Sequence, residues 1–187
     1  MRTTKLMAGA LTLLVLVGGA AAAETVQSSE GTVYTLPANV SRIEEYAFYG
    51  DGELREIRIP EGVTEIGDLC FSGDNYLVSL KLPDGLSELP YAALESCFRL
   101  MNFNLPKELK KISGSALQYN YYLTHLTLPS SLTEIEQLNF IGLYGLQSLT
   151  LAEDNAAFKL DETNGLLMTA DGTRLLHCFS DLSLIHI

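Results

Sequence analysis

The chain has 187 residues, 47% of them hydrophobic and 19% charged, which suits one domain of ordinary size and excludes a largely disordered polymer. A formal charge of -11 excludes a general nucleic-acid binder, because no basic surplus exists to displace counterions from phosphates. With 3 cysteines and no tight Cys/His cluster, neither a disulfide scaffold nor a zinc module is indicated.

Residues 1–23 read as a secretory signal peptide: Arg2 and Lys5 lead into the apolar run Leu11 to Val17, and Ala21 and Ala23 supply small side chains before a cut. The mature chain then starts at Glu24 and is more acidic still, since the removed segment carries basic but no acidic residues. Such a chain is expected to be secreted or surface-exposed, repelled by anionic membranes and not inserted into them. Residues 24–31 are taken as an N-terminal linker.

From residue 32 to residue 151 a 23-residue period organises the chain. Leu36, Ile59, Leu82, Leu105, Leu128 and Leu151 share one register, each followed by proline except at Ala152. Other columns read Val40, Val63, Leu86, Leu109, Leu132; Ile43, Ile66, Leu89, Ile112, Ile135; Phe48, Phe71, Leu94, Leu117, Phe140; and Leu54, Leu77, Leu100, Leu123, Leu146. Interchangeable apolar residues at a fixed interval are what stacked coils need, because each coil buries its large side chains only against its neighbours.

Within a coil, Glu56 to Pro60 alternates polar and apolar as a half-buried strand does, and the proline ends the ladder because it lacks an amide hydrogen. The stretch from Asp68 to Asp74 suits a short helical turn. These residues carry a resemblance: the unit LREIRIPEGVTEIGDLCFSGDNY, with LVSLKLPDGLSELPYAALESCFR after it, resembles the BspA-type leucine-rich repeat. The resemblance implies a leucine-rich-repeat solenoid, a right-handed β/α superhelix with one short strand and one short helical turn per coil. It also implies a secreted or cell-surface protein engaged in adhesion or host interaction.

Past Leu151 the period changes, and residues 152–181 read as a C-terminal β-hairpin module around Asp171-Gly172. Glu153, Asp154, Asp161, Glu162 and Asp171 match no calcium loop, and a solvated turn is the preferred reading. Residues 182–187, LSLIHI, read either as the first strand of another coil or as appended non-native sequence, and the native protein is expected to continue past them.

No nucleophile with its base, metal set or phosphate loop stands out, so the chain is read as a non-enzyme with no cofactor and no metal. His125 falls on the outward side of a strand, His177 in the terminal hairpin, and His186 in the doubtful tail. Cys70 shares a column with Ala47, Ala93 and Ala116, as a small buried filler, and Cys97 shares one with Asp51, Asp74 and Asn120, as a turn-stabilising polar contact. A Cys70–Cys97 disulfide would have to join different columns and is not expected. Glu65, Glu88 and Glu134 share a column with Lys111, an exposed ridge rather than an acid/base pair. Asn39-Val40-Ser41 matches a glycosylation acceptor, but Val40 is a core position and the match is read as coincidence.

Two surfaces remain as binding candidates. One is the outward side of the strand ladder, with Arg58, Lys81, Asn104 and Thr127 in one column and Glu56, Ser79, Asn102 and His125 in the next. The other is the cluster Tyr119, Tyr121 and Tyr122, since amphipathic aromatics favour contacts. The expected partner is an extracellular protein or glycan, not a nucleic acid. The alternatives are a spacer or stalk for a module encoded beyond the C-terminus and, less favoured, an extracellular hydrolase.

Overall fold

Apolar columns with a constant interval can be buried only if successive coils lie directly on one another, and this is the arrangement found. The computed structural model describes residues 24–28 and 31–179; the segment 1–23 expected to be a signal peptide, His186 and the tail 182–187 lie outside the described residues. The chain opens with β1 (Glu24–Ser28) and β2 (Gly31–Thr35). Each later coil then contributes a short and a longer strand: β3 (Arg42–Ile43) and β4 (Leu54–Arg58), β5 (Glu65–Ile66) and β6 (Ser79–Lys81), β7 (Glu88–Leu89) and β8 (Asn102–Asn104). The same alternation continues with β9 (Lys111–Ile112) and β10 (His125–Leu128), then β11 (Glu134–Ile135) and β12 (Ser148–Leu151). The chain finishes with β13 (Phe158–Asp161), β14 (Leu166–Thr169) and β15 (Leu175–Cys178).

The longer strands stack in parallel as β2-β4-β6-β8, and again as β10-β12; the two-residue strands stack on another side as β3-β5 and β7-β9-β11. Parallel pairing is in the expected register, with Ile57 opposite Leu80 and Leu80 opposite Phe103. Proline marks the corner after each longer parallel strand except β12, which Ala152 follows. The Pro37, Pro60, Pro83, Pro106 and Pro129 carbonyls each accept the amide three residues on, at 3.1–3.3 Å, which turns the chain towards the next apolar column. The result is a β-solenoid whose interior is a continuous spine: Leu36, Leu82 and Leu128 are buried, Ile59 and Leu151 pack against the spine at its edge, and the other apolar columns are buried throughout.

Three expectations change. No helix occurs among the described residues, and the stretch expected to be a short helical turn is a chain of turns instead. In coil after coil its amides alternate between a local bond and one to the next coil. Ala47 and Tyr49 donate to carbonyls three residues back, whereas Tyr46, Phe48 and Gly50 donate to Asp68, Cys70 and Ser72, at 3.1, 2.7 and 2.8 Å. Left-handed residues hold this path open at two positions per coil: Tyr46, Leu69, Ala92, Ser115 and Leu138 at one, and Gly50, Gly73, Ser96, Tyr119 and Gly142 at the other. Each non-glycine among them costs about 1–2 kcal/mol. Inter-coil hydrogen bonds worth about 1 kcal/mol each, with the burial they permit, offset that cost. Glycine 142 is needed there for space as well, since a Cβ would lie 2.9 Å from the Tyr119 Cα.

Second, residues 24–28, expected to be linker, pair antiparallel with β2 as β1. Third, the terminal module has the predicted hairpin around Asp171-Gly172 plus a third strand, in the antiparallel order β13-β14-β15. Its turns are closed by carboxylates. Asp161 accepts the amides of Thr163 and Asn164. Asp171 accepts from the Thr169 and Thr173 hydroxyls and the Thr173 amide, which holds its carboxyl down at about 2. His177 and Phe179 pack on Phe140, joining this sheet to the last coils, and burial lowers the His177 pKa.

Polar groups inside the spine act as staples between coils. Asn120 Nδ2 donates to the Leu94 and Leu117 carbonyls at 2.9 and 2.7 Å, and Asn139 Nδ2 to those of Ser113 and Glu136 at 2.9 and 3.0 Å. Cys70 and Cys97 are buried free thiols; Cys97 takes the polar contact foreseen for its column, Sγ lying 3.0 Å from the Phe71 carbonyl. Two buried side-chain oxygens are exceptions among the described residues, Asn120 Oδ1 and one oxygen of Asp74. Asp74 Oδ1 accepts the Asp51 amide at 2.8 Å, but its Oδ2 is buried with no partner among the described residues. Burial, opposed by that one amide, pushes its carboxyl up to about 9.

Candidate functional site

Strand pairing decides which outward side chains become neighbours. Glu56 lies opposite Ser79 and Ser79 opposite Asn102; Arg58 lies opposite Lys81 and Lys81 opposite Asn104. In the second ladder His125 lies opposite Ser148 and Thr127 opposite Thr150, whose hydroxyls meet at 2.9 Å. The two foreseen columns are therefore each assembled in two runs, because β8 and β10 are not paired as a ladder.

The basic spot foreseen at Arg58 and Lys81 is closed by neighbouring carboxylates. Arg58 Nε donates to Glu56 at 3.1 Å and Lys81 Nζ to Glu61 at 2.8 Å; that second contact raises the Lys81 pKa and lowers that of Glu61. Lys107 reaches Asp84 in the same way. All of these groups are exposed, so the pairs add little stability. Their consequence is local charge cancellation. His125 Nδ1 lies 2.7 Å from the Thr124 hydroxyl and remains exposed.

On the side of the coil that carries the two-residue strands, the carboxylate column is threaded by cations. Arg42 contacts Glu44 and Glu65, and Lys111 sits between Glu88 and Glu136 at 3.6 and 2.7 Å. This is an ion-pair ridge of largely exposed side chains.

The tyrosine cluster belongs to a larger construction. Tyr121 is stacked between Phe98 and Tyr144, with ring centroids 4.8 and 5.4 Å apart and planes within 2° and 20° of parallel. Tyr119 meets Tyr121 edge-on at 6.4 Å, so the structure brings these two together, while Tyr122 points to solvent from the adjoining column. In that column Arg99 lies over the Tyr76 ring at 5.1 Å. Phe98, Tyr144, Tyr76 and Arg99 were not among the foreseen residues. Their signal was present in the 23-residue register, since Phe98, Tyr121 and Tyr144 occupy one position and Tyr76, Arg99 and Tyr122 the next. Gly145 permits the close fit, because a Cβ there would collide with the Tyr121 carbonyl.

These aromatic residues occur where each coil enters its longer strand, immediately before the buried Leu77, Leu100, Leu123 and Leu146. An aromatic rim thus borders the strand face. Tyr144, at the end of the ring ladder, is 82% exposed.

A family model described as the BspA type leucine rich repeat region matches residues 32–161, in 6 copies. Among solved structures, a leucine rich cell surface protein from Faecalibacterium prausnitzii superposes with a TM-score of 0.61 at 22% identity, over 70% of this chain and 38% of that one. The T. pallidum leucine rich repeat protein gives 0.58 at 25% identity, over 68% and 67% of the two chains. The pneumococcal vaccine antigen PcpA gives 0.68 at 25% identity, over 78% and 36%. The chain therefore spans well under half the length of two of these three proteins. No curated protein matches it.

Proposed function

The chain belongs to the BspA-type leucine-rich repeat family, and on that premise we propose that it is a secreted or surface-exposed binding protein. In this reading it holds an extracellular macromolecule against the outward face of its longer strands and serves adhesion or host interaction rather than catalysis. The carrying observation is the pair of outward columns, from Glu56 and Arg58 to Ser148 and Thr150, displayed on a rigid stack whose buried side is fully committed to packing. Burial does not constrain these positions, so their chemistry is available for recognition. The signal segment and the surface location named for the F. prausnitzii protein both favour an extracellular site of action. A right-handed winding of the coils is part of the same reading.

The test is a solid-phase binding assay of the full chain against immobilised extracellular-matrix glycoproteins and cell-wall polysaccharides. Asn104→Arg with Thr127→Arg places two bulky cations at the centre of the face. Binding should be lost with no change in melting temperature. Undiminished binding by that variant would move the site off the strand face.

A further inference from the structure

The two ends of the strand face differ in charge. Towards the N-terminus it carries Arg55, Glu56, Arg58 and Lys81. Over residues 101–104, 124–127 and 147–150 it carries no carboxylate, ammonium or guanidinium group at all, in a chain with 23 acidic and 12 basic residues. What faces outward there is amide, hydroxyl and imidazole: Asn102, Asn104, Thr127, His125 and Ser148. Such groups each donate and accept hydrogen bonds without requiring a countercharge. They adjoin the part of the rim where the rings are stacked.

We propose that this uncharged half of the strand face, with the rim at Tyr122 and Tyr144, is a binding site for a neutral glycan. The inference rests on the strand-face reading above and narrows it to one ligand class. The ring ladder Phe98–Tyr121–Tyr144 has no further stacked ring beyond Tyr144 among the described residues. One face of an 82% exposed ring is left open for the apolar C–H face of a sugar, with its hydroxyl available to a polar group beside it. Strands repeat at about 4.8 Å, so an extended saccharide lying along the stack meets equivalent hydrogen-bonding groups from successive coils.

An anionic polymer fits poorly. The nearby cations Arg58, Lys81 and Lys107 are held by carboxylates, Arg99 lies on the Tyr76 ring, and the chain as a whole is strongly negative. Apart from the tyrosine rim, the strand face offers one exposed large apolar side chain, Met101, too little for the apolar centre of an ordinary protein interface.

The experiment titrates the full chain with cellohexaose, mannohexaose and xylohexaose, and with hexagalacturonate as the anionic comparison. The chain has no tryptophan, so Tyr144→Trp installs a single reporter whose emission changes when a sugar stacks on it. At least one neutral oligosaccharide should bind the parent and Tyr144→Trp alike. Tyr144→Ala should weaken that binding about tenfold or more at unchanged melting temperature. Raising salt from roughly 50 to 500 mM should leave it unaltered, as no charge is neutralised. Binding of hexagalacturonate alone, neutral binding that survives Tyr144→Ala, or no neutral binding overturns the inference. If no sugar binds while glycoprotein capture remains sensitive to Asn104→Arg with Thr127→Arg, the neutral-glycan assignment fails and the strand-face reading stands.

Discussion

Asp74→Asn should make this protein more stable at neutral pH, and the size of the gain follows from where the carboxyl sits. In the fold the group is buried, and it is held up at about 9 against an ordinary value of 3.8. The folded state therefore keeps its proton across a range in which the unfolded chain has released it. Stability is fully present below pH ~4 and is lost as pH rises from there to the folded value near 9. At 1.36 kcal/mol per pH unit, the loss between pH 4 and pH 7 is about 4 kcal/mol, an upper figure that any folded value well above 7 would give. Asparagine removes the titration. It can still accept the Asp51 amide, and Asn120 shows that an amide in the same column finds carbonyl partners for its Nδ2.

Above the ordinary histidine value of 6.5, below which His177 adds its own pH dependence, the other shifted groups leave a clean window. Hydrogen bonds lower the carboxyls of Glu61, Asp84, Glu136, Asp161 and Asp171, so their contribution is lost only as pH falls below the ordinary carboxylate range. Cys70, Cys97 and Tyr34, around Asp74, are all raised by burial and titrate above it. Urea unfolding followed by far-UV circular dichroism, at intervals from pH 4.5 to 8.5, reads the difference directly. The parent should lose stability towards pH 8.5 and Asp74→Asn should lose much less, so that the two curves diverge. Parallel curves, or a variant no more stable than the parent at pH 8, would refute the claim that this carboxyl is buried with one oxygen unpaired.

Ile66→Asp places a charge in a buried column and should abolish cooperative unfolding of the adjacent coils, seen as a lost or strongly lowered thermal transition. Ser96→Gly relieves a left-handed residue in a column it shares with Gly50, Gly73, Tyr119 and Gly142, and should add about 1 kcal/mol in urea titration. Gly142→Ala meets both the strained angle and the Tyr119 backbone, and should cost at least about 1 kcal/mol. Burial lowers the His177 pKa, so its contribution is present above the ordinary value of 6.5 and lost as pH falls through the lowered one. The protection factors of the β15 amides, corrected for the intrinsic slowing of exchange in acid, should therefore fall below pH 6 in the parent and not in His177→Phe.

The sequence alone determined the stack. A 23-residue interval with apolar residues in interchangeable columns has one economical burial, and the same alternation identified which strand residues face water, from Glu56 and Arg58 to His125 and Thr127. It also contained the registers of the aromatic rim and the Gly50, Gly73, Gly142 column, although composition within a single coil suggested a helical turn. Tertiary structure decided that turn, because the amides of Tyr46, Phe48 and Gly50 have carbonyl partners only in the next coil, which lies 22 residues away in sequence and directly alongside in space. It likewise decided the charge of the strand face. Arg58 and Lys81 look basic in a one-letter string, yet the carboxylates of Glu56 and Glu61 sit within hydrogen-bonding distance, and such proximity depends on rotamers and coil stacking that residue order does not encode.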